Sequence, residues 1–234
     1  MKRFKDGAPA AEPHKTGGEL VKQLIFGAND DLVSTFALLA GLAGAALGPR
    51  VVLLTLLAEM FSGAVSMCLG EFISTKSRNE YFTNEIRKER AEMKLTPEVE
   101  REELRDIYRS YGFDGELLEA VVEKISTNEE VWLKAMLREE LGIADVDLEN
   151  PAKTALVMFF AFLLGALVPI APYFRPVACS FAIAAVASFG GLFFVGVART
   201  FVTGRPKLRS GLEMLFVGAV AFASTYGVGL LIGA

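Results

Sequence analysis

Residues 56–72 read LLAEMFSGAVSMCLGEF, an almost entirely apolar or small stretch that nevertheless contains two glutamates. A helix that crosses a membrane needs about 20 mostly apolar residues, and this stretch fits inside such a helix. A charge at the centre of a spanning helix is unfavourable by ~2.5–3.5 kcal/mol, so carboxylates there indicate a functional site. Glu59 and Glu71 therefore need an explanation other than anchoring.

The composition of the whole chain agrees with a membrane protein that has one water-facing module. The 234 residues are 52% hydrophobic and carry a net charge of -4, with a mean hydropathy of +0.39 and charges crowded into the middle. The mild negative charge indicates no nucleic-acid partner. The two isolated cysteines argue against a disulfide scaffold or a zinc knuckle, and the polar N-terminal residues predict no cleavable signal peptide.

Five segments have the length and apolar content of membrane-spanning helices. Short turns join the first to the second and the third to the fourth, so each pair forms an antiparallel hairpin. The predicted fold is an all-α membrane protein with a helical insert between spans two and three. The predicted spans are 24–47, 51–74, 153–173, 177–199 and 211–233, and the predicted regions are 1–23, 24–75, 76–152 and 153–234.

Lysine and arginine placement predicts the orientation in the membrane, because cytosolic flanks carry the positive excess. These residues precede the first span, occur throughout the insert and join the last two spans, whereas the other side has only Arg50 and Arg175. We expect the N-terminus and the insert to be cytosolic and the C-terminus to be outside. Short tails without a sorting segment favour a prokaryotic cytoplasmic membrane over a vacuolar membrane.

The insert is predicted to be helical. Residues 76–94 continue the second span without glycine or proline, and Thr96-Pro97 resembles the start of a further helix. Apolar residues recur at helical spacing over 114–125 and 127–141. These apolar faces must pack on one another or on the extended second span.

Pairs of glutamates in the insert lie three residues apart, which places both carboxylates on one helix face. Several such pairs can form an oxygen-rich site for a divalent cation. The alternative is a solvated helix face with interleaved lysine and arginine. The pairs are Glu89 with Glu92 and Glu100 with Glu103, and Glu140 lies one turn after Met136.

The intramembrane carboxylates form a second group, which comprises Asp30, Asp31, Glu59 and Glu71. At ~1.5 Å per residue from the turn at Pro49, Asp30, Met67 and Glu71 lie roughly 27–33 Å away and Glu59 only about 15 Å. Glu59, Gly63, Met67 and Glu71 follow at four-residue intervals, so they form one slowly winding stripe. Taken singly, Met67 is equally explained by packing and Glu71 by an interfacial position.

The residue types limit which ion the protein can bind and which class of protein it can be. Carboxylates with a thioether, and without histidine, suit Fe²⁺ or Mn²⁺ better than tightly held Zn²⁺ or Cu²⁺. The only histidine, His14, is in the N-terminal tail, so a ferritin-like di-iron centre cannot form. A membrane enzyme is disfavoured, since no nucleophile with a partner base and no phosphate-binding glycine loop is present.

Four blocks of sequence resemble the vacuolar iron transporter family in their identity and order: GANDDLVSTFALLAGLAG, LAEMFSGAVSMCLGEFISTKS, WLKAMLREELG and LGALVPIAPY. The resemblance implies a homodimer in the lipid bilayer that exports Fe²⁺ from the cytosol in exchange for protons. It further implies a pore between protomers lined by Asp30, Met67 and Glu59. In the cytosolic domain it implies metal ligands at Glu89, Glu92, Glu100, Glu103, Met136 and Glu140.

The chain departs from the family at three places. Asp31 stands where glycine is usual, Glu71 replaces a small residue of some members, and Met136-Leu137 stands where plant members have two methionines.

The expected mechanism is that the acidic insert concentrates Fe²⁺ and passes it to Asp30, Met67 and Glu71 at the inner mouth, and then past Glu59. A carboxylate that takes up a proton as the ion leaves would couple transport to protons. Two alternatives remain: an exporter of Mn²⁺ or of a broad set including Co²⁺ and Zn²⁺, and a membrane-anchored metal sensor or storage adaptor.

Overall fold

The computed structural model describes residues 18–142 and 148–233, and its regular structure over these ranges is helical throughout. The prediction of an all-α protein is confirmed. Within the described residues the helices are α1 (Gly18–Gly44), α2 (Pro49–Leu95), α3 (Pro97–Ser110), α4 (Gly115–Ser126), α5 (Glu129–Glu139), α6 (Pro151–Ile170), α7 (Ser180–Thr203) and α8 (Lys207–Gly233), with a short 3-10 turn at Ala171–Tyr173.

Five of these helices, α1, α2, α6, α7 and α8, are long and apolar enough to cross a membrane, which confirms the predicted number of spans. Some helix ends differ from the predicted ones, because local backbone conformation and not hydropathy decides where a helix begins or ends. Helix α1 ends at Gly44 rather than 47, because Ala46 adopts a left-handed conformation with φ of 54°. Helix α8 begins at Lys207 rather than 211, because its first turn is polar but helical.

Helix α7 begins at Ser180 and not at the predicted residue 177, because the preceding residues form a turn that is held by side-chain hydrogen bonds. The Ser180 hydroxyl accepts a hydrogen bond from the Val177 N–H at 2.8 Å and donates one to the Pro172 carbonyl at 3.2 Å. These two bonds hold residues 177–179 in a turn and prevent them from joining the helix.

The chain divides into two compact units. One contains the described residues up to Phe72 together with those from Ala152 onward, and the other is Ile73–Pro151. Helix α2 contributes to both, since its residues up to Phe72 belong to the first unit and the rest to the second. His14 lies outside the described residues.

In the first unit, α1 packs against both α7 and α8. Phe36 on α1 is completely buried. Its ring lies 5.0 Å from that of Phe189 on α7 and 5.3 Å from that of Phe222 on α8, measured between centroids. Helix α1, which carries both intramembrane aspartates, is therefore fixed in position by aromatic packing on two sides.

Glycines bring α1 and α8 into backbone contact. A Cβ atom at Gly229 would overlap the carbonyl group of Gly41, and one at Gly44 would lie 2.5 Å from the Tyr226 carbonyl oxygen. Small residues permit this close approach between spanning helices, where van der Waals packing is a main source of association.

The second unit has its own core, built from the C-terminal end of α2 and from α3, α4 and α5. The buried residues of this core are Met93, Leu104, Leu118, Val122, Trp132, Leu133, Met136 and Leu137. The Asn128 side chain caps α5 by accepting hydrogen bonds from the N–H groups of Glu130 and Val131. Thr96 precedes α3 as expected, but its hydroxyl donates to the Glu92 carbonyl at 3.1 Å instead of capping α3.

The glycine contact between α1 and α8 can be tested by adding one methyl group. We expect Gly229→Ala to lower the free energy of unfolding by about 1–3 kcal/mol, because the new Cβ atom has no space. Gly227→Ala is the matched control, since nothing lies within 4 Å of its Cβ position on the same helix. Thermal unfolding in detergent measures both, and equal melting temperatures for the two variants would contradict the packing described.

Candidate cation pathway and acidic cluster

The two adjacent aspartates of α1 have opposite environments. The Asp31 side chain is completely buried, with 0% exposure, whereas Asp30 is exposed. Successive residues on a helix point about 100° apart, so only one of the two can face the interior of the protomer. Asp30, the predicted path residue, reaches the surface of the protomer, and Asp31 does not.

Hydroxyl groups of α1 link Asp31 to Glu59 on α2. The Thr35 hydroxyl lies 2.7 Å from Glu59 Oε2 and 3.1 Å from Asp31 Oδ1. The Ser34 hydroxyl lies 3.4 Å from Glu59 Oε1. Both oxygens of Glu59 thus have a donor on the neighbouring helix, and a carboxylate in an apolar span requires such partners.

Ser34 and Thr35 were not among the predicted site residues. Their signal in the sequence is their spacing of three and four from Asp31, which places them on the same face of α1, one turn later. That spacing alone does not distinguish them from ordinary helix hydroxyls, which commonly bond to their own backbone.

The predicted stripe on α2 is only partly a surface feature. Glu59 and Met67 are half-buried, but a Cβ atom at Gly63 would overlap the ring of Phe162 on α6. Gly63 therefore accommodates an aromatic side chain, so this part of the stripe packs against α6. The exposed small residues of α2, here called the small-residue surface, are Ser62, Ser66 and Gly70.

Glu71 is tied to α1 by a hydrogen bond. The side-chain amide of Gln23 donates to Glu71 Oε1 at 2.9 Å, and Gln23 is buried. Glu71 therefore takes part in the contact between the first two spans. An interfacial structural role, left open by the sequence, accounts for this geometry.

The second unit brings the five predicted glutamates together in one group, here called the acidic cluster. Glu89 on α2 and Glu100 on α3 are each only 4% exposed. Their carboxyl groups interact with each other, and the charge of Glu100 is one of the causes that raise the pKa of Glu89. The remaining members, Glu92, Glu103 and Glu140, interact electrostatically with this pair or with each other.

Burial and mutual repulsion raise the pKa values in the acidic cluster. Burial raises the pKa of Glu89, which lies beyond the apolar part of α2, to about 8, and the charges of Glu140 and Glu100 add to the effect. Burial likewise raises the pKa of Glu100, helped by Glu103, and that of Glu140, helped by Glu103 and Glu92. A bound cation would reverse this repulsion.

Two oxygens in the acidic cluster are buried without a hydrogen-bond partner in the described part of the chain, Glu89 Oε1 and Glu100 Oε2. Such atoms are unfavourable unless another group, such as a cation, compensates them. Met136 is also completely buried, in the core of the same unit.

Other acidic residues of this unit fit the alternative of a solvated helix face. The Glu119 carboxylate accepts hydrogen bonds from Arg105 at 2.7 and 3.0 Å, and Glu130 accepts one from Arg90 at 2.9 Å. These exposed pairs contribute little to stability. Glu89 and Glu100 differ from them because they are buried together without an arginine partner.

Within residues 18–142 and 148–233, no three histidine, cysteine, aspartate or glutamate side chains are arranged to hold a metal ion. The assignment of individual ligands therefore stays a prediction.

Comparison with known proteins places the chain in a family. The model of the VIT family matches residues 21–230. Vacuolar iron transporter 1 of Arabidopsis thaliana is 36% identical over 217 residues, which cover 92% of this chain and 87% of that protein. Vacuolar iron transporter 1 of Eucalyptus grandis is 34% identical, covering 93% and 88%, and the vacuolar iron transporter of Toxoplasma gondii is 32% identical, covering 93% and 76%.

These relatives are named as transporters, in agreement with the expectation that the protein is not an enzyme. They are also named for a vacuole, which counts against the predicted preference for a prokaryotic cytoplasmic membrane. Short tails without a sorting segment were too weak a basis for that preference. The resemblance found in the four sequence blocks is confirmed over nearly the whole chain, and the protein belongs to the VIT family.

Proposed function

We propose that this protein is a proton-coupled transporter that moves Fe²⁺ from the cytosol across the membrane. The observation that carries the proposal is the Glu59 carboxylate, which lies inside an apolar span and is held by the hydroxyls of Ser34 and Thr35. A span that served only as an anchor would need no such group. The relatives are named as iron transporters, which supports iron as the cargo.

The ligand chemistry is compatible with a transported ion that must be released. Glu59 and Asp30 offer oxygen and Met67 offers a thioether, a set that suits Fe²⁺ and binds it more weakly than histidine or paired thiolates would. Mn²⁺ has similar preferences and is the main alternative cargo. A proton and a cation compete for the same carboxylate, and this competition would couple their movements.

A homodimer would complete the cation path. Each protomer supplies few ligands, and two-fold symmetry would double each of them. Asp30 is exposed, and Glu59 and Met67 are half-buried, so all three reach the surface of the protomer. The small-residue surface of α2 lies along the same helix and would allow two copies to approach closely.

We further propose that the acidic cluster collects cations on the cytosolic side and supplies them to the spans. The buried, unpartnered oxygens of Glu89 and Glu100 support this role. The excess of lysine and arginine around the insert supports a cytosolic position and an external C-terminus. A sensor or storage adaptor would use the same cluster but would not need Glu59.

Fe²⁺ uptake into proteoliposomes that contain a quenchable dye tests the transport function. We expect Glu59→Ala to reduce uptake by on the order of 100-fold and Met67→Ala by on the order of 10-fold, because each removes a ligand. An acidic interior should accelerate wild-type uptake, and competition with Mn²⁺, Co²⁺ and Zn²⁺ defines the cargo. Glu213→Gln is the control, since Glu213 pairs with Arg199 at the ends of α7 and α8.

Undiminished uptake by Glu59→Ala would remove this residue from the path. Absence of ion flux in the wild-type protein, together with cation binding, would instead favour the sensor or storage adaptor.

The raised pKa values of the acidic cluster predict how stability depends on pH. A carboxyl group whose folded-state pKa is raised stabilises the fold fully below its unfolded pKa, and this contribution is lost as pH rises through the folded pKa. For Glu89 this pH window runs from the ordinary glutamate pKa of 4.5 to the raised pKa of about 8. The cation-free second unit should therefore lose stability between about pH 5 and 8, and added Fe²⁺ or Mn²⁺ should restore it.

Trp132, the only tryptophan of the chain, is buried in the second unit at 5% exposure, so its fluorescence in urea reports this transition. Glu89→Gln should raise the free energy of unfolding at pH 8 by on the order of 1 kcal/mol and flatten the pH dependence. Glu119→Gln, at an exposed position paired with Arg105, should leave the pH dependence unchanged. A wild-type slope in Glu89→Gln would contradict the described cluster.

A further inference from the structure

Ser34 and Thr35 each have two acceptors within reach. Thr35 lies 2.7 Å from Glu59 Oε2 and 3.1 Å from Asp31 Oδ1. Ser34 lies 3.4 Å from Glu59 Oε1 and 3.2 Å from the Asp31 backbone carbonyl. A hydroxyl group has one hydrogen, so each of these residues donates to only one acceptor at a time.

The alternative acceptor is in both cases on α1 and is provided by Asp31. Thr35 and the Asp31 side chain are completely buried, at 0% exposure, so water does not reach the Thr35 hydroxyl. If Glu59 moved away, Thr35 would still have Asp31 as an acceptor. A buried donor would therefore not be left unpaired, which is the unfavourable outcome of most broken interior hydrogen bonds.

We propose that Thr35 is a positioning residue whose hydroxyl holds Glu59 in the cation-free protein and turns to Asp31 when a divalent cation binds Glu59. This inference rests on the proposed function, since it assumes that Glu59 binds the cation during transport. It assigns a role to Asp31, which lies too deep inside the protomer to reach its surface.

The exchange follows from elementary electrostatics. A cation at Glu59 uses the carboxylate lone pairs and repels the hydroxyl hydrogen that points at them. Rotation about one side-chain bond redirects that hydrogen to Asp31 Oδ1. Groups behind a ligand commonly change metal affinity by 10–100-fold. Because the Thr35 hydroxyl pairs Glu59 only in the cation-free protein, its loss should strengthen cation binding without removing a ligand.

The test is the concentration dependence of Fe²⁺ uptake in proteoliposomes. We expect Thr35→Val to lower KM about tenfold and to change kcat by less than about threefold, and Thr35→Ser to keep the wild-type KM. Thr200→Val is the matched control, because Thr200 is also buried in a span but donates to the Val197 carbonyl of its own helix at 2.7 Å. An unchanged KM in Thr35→Val would overturn the proposal.

A double-variant cycle tests the exchange with Asp31. If Thr35 turns to Asp31 when the cation binds, Asp31→Leu should raise KM in the wild-type background, because the buried hydroxyl then has no acceptor once it leaves Glu59. In Thr35→Val, which has no hydroxyl to redirect, the same change should leave KM unaltered. Independent, additive effects would overturn the exchange. Asp31→Asn keeps an acceptor oxygen, so its KM should be closer to the wild-type value than that of Asp31→Leu.

The two proposals fail differently. If Glu59→Ala abolishes uptake but Thr35→Val has the wild-type KM, only the positioning role is refuted. If Glu59→Ala takes up Fe²⁺ at the wild-type rate, the cation path itself is refuted.

Discussion

The hydrogen bonds from α1 to Glu59 are the interaction on which the membrane part of this protein depends. A carboxylate in an apolar span is tolerated where donors surround it, and here Thr35 and Ser34 supply them. Their positions depend on α1, which is held by the aromatic contacts of Phe36 and by glycine contacts with α8. The packing of α1 against α7 and α8 therefore supports the hydrogen bonds to Glu59.

The acidic cluster, in contrast, lacks donors for some of its buried carboxyl oxygens within the described part of the chain. Glu89 and Glu100 are buried next to each other without an arginine, and two of their oxygens have no partner in the described residues. Such an arrangement is unfavourable by itself, and natural proteins retain it mainly at functional sites. Hydroxyl groups of α1 thus pair the half-buried Glu59 carboxylate, whereas the acidic cluster holds neighbouring carboxyl groups whose repulsion a cation would relieve.

The sequence was sufficient to predict the helical class and the five spans, because hydropathy and helical spacing are local properties. It could not predict which of Asp30 and Asp31 is buried, since the rotation of α1 depends on contacts with α7 and α8. For the same reason the spacing of the stripe could not show that Gly63 accommodates Phe162. The Thr35 contact joins residues 24 positions apart and requires the helix pairing itself.

The rate of Fe²⁺ uptake by Glu59→Gln tests the central claim, that the charge of Glu59 serves transport and not folding. Glutamine keeps an acceptor for the Thr35 hydroxyl but removes the negative charge from the span. We predict a protein as stable as the wild type or more stable, because a charge in the span is unfavourable, with uptake reduced by on the order of 100-fold. Uptake within about twofold of the wild-type rate would contradict the account.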